Sequence, residues 1–102
     1  LILVSAGFDA HQADPLAGMQ MTSEGFAGLC AIVDGLAREL CGGRMAMVLE
    51  GGYDLTGLAE SCQLCVDVLE HGGSPDKKIP EGSGGRFALE QARKLQLLHW
   101  NL

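Results

Sequence analysis

Asp9 and Tyr53 are the two residues of this chain whose positions suggest chemistry. Each lies a few residues after a short apolar run, Leu1–Val4 or Met45–Leu49, with glycine in between. In open α/β sheets, ligands bind beyond the carboxyl ends of the strands, where both side chains would lie. A carboxylate in a βα loop is either a turn former, a helix cap or a metal ligand. The tyrosine either packs with its hydroxyl bonded to backbone or donates that hydroxyl to a substrate oxygen.

The elements that would position these residues form two βα units. Leu1–Val4 lacks polar alternation, which is typical of a strand buried on both faces of a parallel sheet. Thr22-Ser23-Glu24 predicts the start of a helix and Gly42-Gly43 its end, with a second helix over Leu55–His71. The first helix has one apolar face, made of Phe26, Leu29, Cys30, Val33, Leu36, Ala37 and Leu40. A helix between two parallel strands brings both strand ends to one edge of the sheet.

The remainder of the chain predicts a loop and a further helix. Residues 74–85 are rich in Pro, Gly, Lys and Asp, a composition that predicts a surface loop. Residues 86–102 resume a helical pattern of apolar positions. We therefore predict one α/β unit over residues 1–102, in which residues 1–73 form the two βα units.

The two motifs together resemble the zinc-dependent histone deacetylase family, above all its class II-like and bacterial members. The segment Val4–Ala10 with Asp14–Gly18 is similar to the part of the family that carries the last of three zinc ligands. The segment Leu49–Leu55 is similar to the catalytic-tyrosine segment, and the spacing between the two also fits. The resemblance covers most of this chain but only the C-terminal portion of the family's domain. It implies a C-terminal βαβα fragment of an arginase/deacetylase-type parallel-sheet domain.

The resemblance implies roles for five residues. Asp9 would be a zinc ligand, and Tyr53 would polarise the substrate carbonyl and stabilise the oxyanion. Leu16, Gly51 and Gly52 would line the substrate channel. Family members specialised for acetylpolyamines can carry glutamate at the Leu16 position, so leucine favours a neutral acyl-lysine channel. Class IIa members have histidine at the Tyr53 position, so tyrosine indicates competence for deacetylation.

The resemblance also implies what this segment leaves to the rest of the protein. A catalytic zinc site has three protein ligands and a position for water, whereas the family's Asp-x-His ligand pair and tandem histidines would lie upstream. The chain begins at Leu1, inside a strand and without methionine, as a piece of a longer polypeptide would. We expect Zn²⁺ in the intact parent, but neither zinc retention nor activity in residues 1–102 alone. The alternative is a non-catalytic interaction module or an inactive deacetylase relative.

Composition narrows the partners and the compartment. The formal net charge of -6 argues against general nucleic-acid binding, which relies on Lys and Arg. No apolar run approaches the roughly 20 residues that span a membrane, and the cytoplasm is the predicted location. The expected partners are an acetylated lysine or amine and the rest of the catalytic domain. Exposed sheet edges would also allow self-association.

Two further sets of residues imitate metal sites. Asp9-Ala-His11 imitates the Asp-x-His ligand pair, but the matching segment of the family has no ligand at His11, so we predict a solvent-facing loop histidine. Cys62 and Cys65 form a bare C-x-x-C without a second ligand pair. Their place on the apolar face of a predicted helix favours core packing by reduced thiols. Glu50 is predicted to hold the glycine turn and has no catalytic role.

Overall fold

The computed structural model describes residues 1–73 and 84–101 and contains five regular elements. They are β1 (Ile2–Ala6), α1 (Ser23–Cys41), β2 (Met45–Leu49), α2 (Leu55–His71) and α3 (Gly84–Gln96). The order confirms the predicted α/β class and the two βα units. Of the predicted 74–85 loop, residues 74–83 lie outside the described residues, and Gly84 and Gly85 belong to α3.

β1 and β2 form a two-stranded parallel sheet, as the sequence predicts. Their register pairs Ile2 with Met45 at one end and Ala6 with Leu49 at the other. β1 therefore extends two residues beyond the predicted apolar run, through Ser5 and Ala6. Because the strands are parallel and in register, the loops that follow them leave the sheet side by side.

Backbone hydrogen bonds hold these two loops together beyond the strands. The N–H of Glu50 donates to the carbonyl of Ala6 at 3.1 Å, and the N–H of Phe8 donates to the carbonyl of Gly51 at 2.8 Å. Such bonds require only main-chain atoms, so the pairing is insensitive to side-chain size. The segment before Asp9 and the segment before Tyr53 are thus fixed relative to each other.

The prediction that β1 is buried on both faces is wrong for the described residues. The core cluster of Phe8, Phe26, Cys30 and Cys65 packs against the sheet face that carries Ala6 and Met47. The other face is open, since Leu3 is 70% exposed and Val48 is 59% exposed. The apolar run was identified correctly, but no element among residues 1–73 and 84–101 covers the second face.

The two longer helices begin and end as their sequences predict. The Thr22 side chain accepts a hydrogen bond from the Gly25 N–H and caps α1. Gly42 ends α1 in the left-handed conformation with φ 61°, which glycine adopts without a Cβ penalty. The Asp54 carboxylate caps α2 by accepting from the Gly57 N–H at 2.6 Å. The first residue of α2 therefore lies two positions after Tyr53.

The predicted apolar face of α1 is only partly buried. Phe26, Cys30 and Ala37 are buried, which confirms the prediction for the centre of the face. Its flank is exposed, with Leu29 at 50%, Leu36 at 45% and Leu40 at 70%. α1 packs against α2, and a single neighbouring helix covers only one side of an amphipathic stripe.

The cysteines pack as the sequence predicts and hold no disulfide in the described residues. Cys62 and Cys65 lie in the middle of α2, where Cys65 is buried and the Cys30 thiol donates to its carbonyl at 3.7 Å. Burial raises the pKa of the Cys65 thiol to about 12. A thiol that stays protonated is a poor metal ligand and a poor nucleophile, which supports the packing interpretation.

The prediction of a solvent-facing His11 is wrong, because only 6% of this residue is exposed. The Ala13 N–H donates to Nδ1 at 3.2 Å, so the ring proton lies on Nε2, which donates to the Ser23 hydroxyl at 3.2 Å. The Ser61 hydroxyl donates to the same oxygen and links the chain of hydrogen bonds to α2. Both ring nitrogens are engaged by the protein, so neither is available to a metal ion.

Gly57 provides the space that the His11 ring occupies, and this gives a stability prediction. A Cβ at position 57 would overlap the imidazole, whereas a Cβ at Gly35 in α1 would meet open space. Gly57→Ala should therefore destabilise the full-length protein by ~1–3 kcal/mol, the usual cost of overpacking. Gly35→Ala should stabilise it by up to ~1 kcal/mol through helix propensity. Urea unfolding measures both, and a stabilising Gly57→Ala would contradict the described packing.

α3 contributes nothing to the packed core. Every residue from 85 to 101 is exposed, including Phe87 and Trp100. The helix begins earlier than predicted and ends at Gln96, so His99 lies in the turn that follows it. Over the described residues, no helix combines the length and the apolar character that crossing a membrane requires.

Candidate active site

The Asp9 carboxylate lies where the loops after β1 and β2 meet. A Cβ added to Gly51 would come within 3.1 Å of Asp9 Cγ, and one added to Gly7 within 3.0 Å of Asp9 Oδ1. Both contacts are tighter than most Cβ contacts in proteins, so a side chain at either position would push on the carboxylate, and the two glycines make room for it. Across residues 1–73 and 84–101, Asp9 makes no hydrogen bond or ion pair with another residue. A half-buried carboxylate without a protein partner has its oxygens free for a ligand.

Tyr53 follows the glycine that contacts Asp9 by two positions. Its side chain is 57% exposed, and in the described part of the chain its hydroxyl has no hydrogen-bond partner. Tyr53 is therefore not packed with its hydroxyl bonded to the backbone, which was the first of the two interpretations. The phenol is free to donate to another molecule, which is the second of the two interpretations of this residue.

Gly52 closes the turn between these two residues. Its φ is 129°, a conformation that side chains rarely adopt. A Cβ there would lie 3.0 Å from Leu58 Cδ1 and 3.1 Å from Phe8 Cβ. The double glycine thus lets the backbone fit between the core and the Asp9 carboxylate. These contacts do not test whether Gly51 and Gly52 also line a substrate channel, which stays a prediction.

Asp14 joins the two loops and has no role in the sequence prediction. Its Oδ1 accepts a hydrogen bond from the Leu16 N–H at 2.8 Å, and its Oδ2 accepts one from the Tyr53 N–H at 2.8 Å. Asp14 as a whole is 8% exposed. The Asp-Pro-Leu sequence contains a signal for the first of these bonds, since Asp side chains commonly accept from the N–H two residues on. No local signal indicates the second bond, whose partner is 39 residues away.

Backbone hydrogen bonds lower the pKa of Asp14. Burial by itself would raise its pKa, but the backbone N–H groups of Tyr53, Leu16, Ala17 and Asp54 outweigh burial and hold the pKa below its usual value. Asp14 is therefore ionised at neutral pH, and charge-assisted hydrogen bonds join the two loops. The interaction would weaken only as the pH falls through that lowered pKa.

Leu16 lies at the rim of the same region. Its side chain is 69% exposed, while its N–H is bound by Asp14. The structure thus brings Asp9, Leu16 and Tyr53 into two adjoining loops, as the parallel topology predicts. Glu50 is exposed beside them, in the backbone pairing with β1.

The described residues can supply one ligand of a metal site, Asp9, but not a whole site. Within the described ranges, no three His, Cys, Asp or Glu side chains are grouped so that they could hold a metal ion. A zinc site takes three or four protein ligands. Asp9 is suited to be one of them, because two glycines leave room for its carboxylate, which has no partner among residues 1–73 and 84–101. The other ligands would have to come from elsewhere in the protein.

Comparison with known proteins agrees with this geometry. The Histone deacetylase domain family matches residues 1–69. Histone deacetylase 10, chloroplastic, from Oryza sativa subsp. japonica is 56% identical over 61 residues, covering 60% of this chain and 14% of the relative. The human Polyamine deacetylase HDAC10 is 41% identical over 102 residues, covering 98% of this chain and 15% of the relative.

A solved structure extends the similarity to the fold. The HDA15 HD domain crystal structure superposes with a TM-score of 0.73 at 30% identity, covering 98% of this chain and 26% of that chain. The chain therefore spans only a small part of the proteins to which it is similar. The family match contains both Asp9 and Tyr53, in the two loops that the structure places side by side. This chain belongs to the histone deacetylase family.

Proposed function

We propose that residues 1–102 belong to the C-terminal part of the catalytic domain of a zinc-dependent amidohydrolase that removes acetyl groups from N-acetyl-lysine or related acetylated amines. One observation carries the proposal: the Asp9 carboxylate, without a protein partner, lies against the glycine turn that presents Tyr53. A carboxylate that can bind a metal and a phenol that can donate a hydrogen bond, in adjoining loops, are suited to metal-assisted hydrolysis of an amide. The similarity to named deacetylases over both loops supports the same activity.

Asp9 would hold the metal together with ligands from the rest of the domain. When bound, zinc supplies a Lewis acid that polarises the acetyl carbonyl and a means of activating water at neutral pH. The glycines at positions 7 and 51 leave the space that the carboxylate occupies, because a Cβ at either position would lie within 3.1 Å of it.

Tyr53 would act on the carbonyl oxygen of the substrate. As water adds to the carbonyl carbon, negative charge develops on this oxygen, and the exposed phenol can donate a hydrogen bond to it. The contribution of the phenol rests on orientation, which the backbone on either side of Tyr53 must supply.

The proposed substrate is a neutral acyl chain attached to an amine. Leu16 presents an exposed apolar side chain beside the two loops, and an apolar wall favours the methylene stem of acyl-lysine over a cationic polyamine. Relatives are named as histone deacetylases and as a polyamine deacetylase. We propose that Leu16, together with residues in the rest of the catalytic domain, decides between acetyl-lysine and acetylpolyamine substrates.

The rest of the catalytic domain is the proposed partner of the open faces. Leu3 and Val48 on the sheet, and Leu36 and Leu40 on α1, are exposed apolar residues of the kind that another layer of a parallel-sheet domain covers. The alternative is that a second copy of the protein pairs with the exposed sheet edges. The cytoplasmic location stays a prediction.

A metal and activity assay tests the proposal. The intact domain, dialysed against buffer without chelator, should retain about one zinc per chain and hydrolyse acetyl-lysine peptides faster than acetylpolyamines. Residues 1–102 alone should retain no stoichiometric zinc and show no turnover, because Asp9 is a single ligand. Stoichiometric zinc in the isolated chain, unaffected by Asp9→Ala, would contradict both the ligand assignment and the need for the remaining domain.

A further inference from the structure

The backbone of Tyr53 needs support that its own turn does not supply. Two glycines precede it, and glycine restricts the backbone less than any other residue. In the described residues its hydroxyl makes no hydrogen bond to the protein, and its side chain is mostly exposed. The direction of the phenol therefore depends on what fixes the main chain at position 53. The hydrogen bond from the Tyr53 N–H to Asp14 is the contact that does so from outside the turn.

Asp14 is well placed to provide this support because it is itself fixed. Its own N–H donates to the His11 carbonyl at 2.9 Å, and Pro15 follows it. His11 is buried and hydrogen-bonded to Ser23 at the start of α1. The carboxylate thus extends from a fixed base and accepts hydrogen bonds from backbone N–H groups in both loops. Its second partner, the Leu16 N–H, belongs to the proposed wall of the substrate channel.

We propose that Asp14 is a positioning residue that fixes Tyr53 and Leu16 in one geometry, so that the phenol meets the carbonyl of a substrate lying along Leu16. This inference rests on the proposed function. Asp14 touches neither substrate nor metal in this scheme and acts through backbone N–H groups of the two loops. A displacement of about 1 Å in a group that contacts the reacting atoms can cost up to about a hundredfold in rate. The effect of Asp14 should therefore appear in kcat.

The test is a double-mutant cycle in the intact domain. Asp14→Asn keeps the size of the side chain but turns one of its two acceptors into a donor that faces an N–H group. We expect kcat to fall about tenfold or more, with zinc content unchanged and KM changed by less than about threefold. When Tyr53→Phe is already present, Asp14→Asn should lower kcat by less than about twofold, because the hydroxyl that it positions is gone.

A matched control separates positioning from stability. Asp34 is also 8% exposed and pairs with Arg38 in α1, away from both loops. Asp34→Asn should lower the melting temperature without changing kcat per zinc-loaded molecule. If Asp14→Asn does not fold, Asp14→Glu keeps the charge but moves the carboxylate by one methylene, and the same cycle applies to it.

The outcomes distinguish this inference from the proposed function. Unchanged kcat in Asp14→Asn, or an equal loss with and without the Tyr53 hydroxyl, would overturn the positioning role while the deacetylase assignment stands. A wild-type domain without turnover on acetylated amines would overturn both. A loss of zinc in Asp14→Asn would show that the residue acts on the metal loop instead and would also overturn the proposal.

Discussion

Asp9→Asn in the intact domain should lose zinc and activity together. A neutral amide is a poorer zinc ligand than a carboxylate, and Asp9 is the acceptor that the glycine pair leaves free for a metal. The zinc affinity should fall by more than the roughly 10- to 100-fold loss that follows when a residue that only hydrogen-bonds a metal-ligating side chain is changed. Elemental analysis after dialysis measures the metal, and turnover on an acetyl-lysine peptide measures the consequence.

The cysteine pair provides the matched control for this experiment. Cys62→Ala with Cys65→Ala removes the only C-x-x-C of the sequence but should leave zinc and turnover nearly intact. Its cost should be a stability loss of ~1 kcal/mol or more, because Cys65 is buried. Zinc that follows the cysteines and not Asp9 would reverse the assignment of the metal ligand.

Tyr53→Phe should keep the metal and lose turnover. The change removes one oxygen from a side chain whose hydroxyl has no partner in residues 1–73 and 84–101, so the fold has no contact to lose. Turnover should fall about a hundredfold or more, the usual cost of deleting one oxyanion donor. kcat and kcat/KM should fall together, because the hydrogen bond strengthens only as charge develops on the carbonyl oxygen.

Zinc content and melting temperature show whether the Tyr53→Phe change acts on turnover alone. Zinc should remain stoichiometric in Tyr53→Phe, in contrast to Asp9→Asn. The melting temperature should also stay close to that of the wild type, since the exposed ring is retained. Undiminished turnover would remove the oxyanion role from Tyr53 and leave the hydroxyl without a function in the reaction.

The proximity of Asp9 to the Tyr53 turn was predictable because it follows from topology alone. Two apolar runs with a capped helix between them predict parallel strands, and parallel strands place both following loops at one edge. The helix caps Thr22 and Asp54 were predictable for a similar reason, since each needs only a side-chain oxygen near an N–H three residues on.

Contacts between distant parts of the chain were not predictable in this way. His11 is buried because Gly57, 46 positions later, leaves space for its ring, and no local pattern around either residue indicates the fit. The hydrogen bond that the Tyr53 N–H donates to the Asp14 carboxylate likewise joins distant parts of the chain. The exposure of Leu3 and Val48 has a different cause, since an apolar run shows that a surface is suited to burial but not which element covers it.

The way Leu16 is held has a consequence for how the specificity of this enzyme family can change over time. Asp14 binds Leu16 through its N–H alone, and 69% of the leucine is exposed. In the proposed channel, a substitution at this position would exchange the group that meets the substrate without altering the hydrogen bond that shapes the loop. New substrate preferences would then arise by single substitutions here, while the geometry around Asp9 and Tyr53 is inherited unchanged.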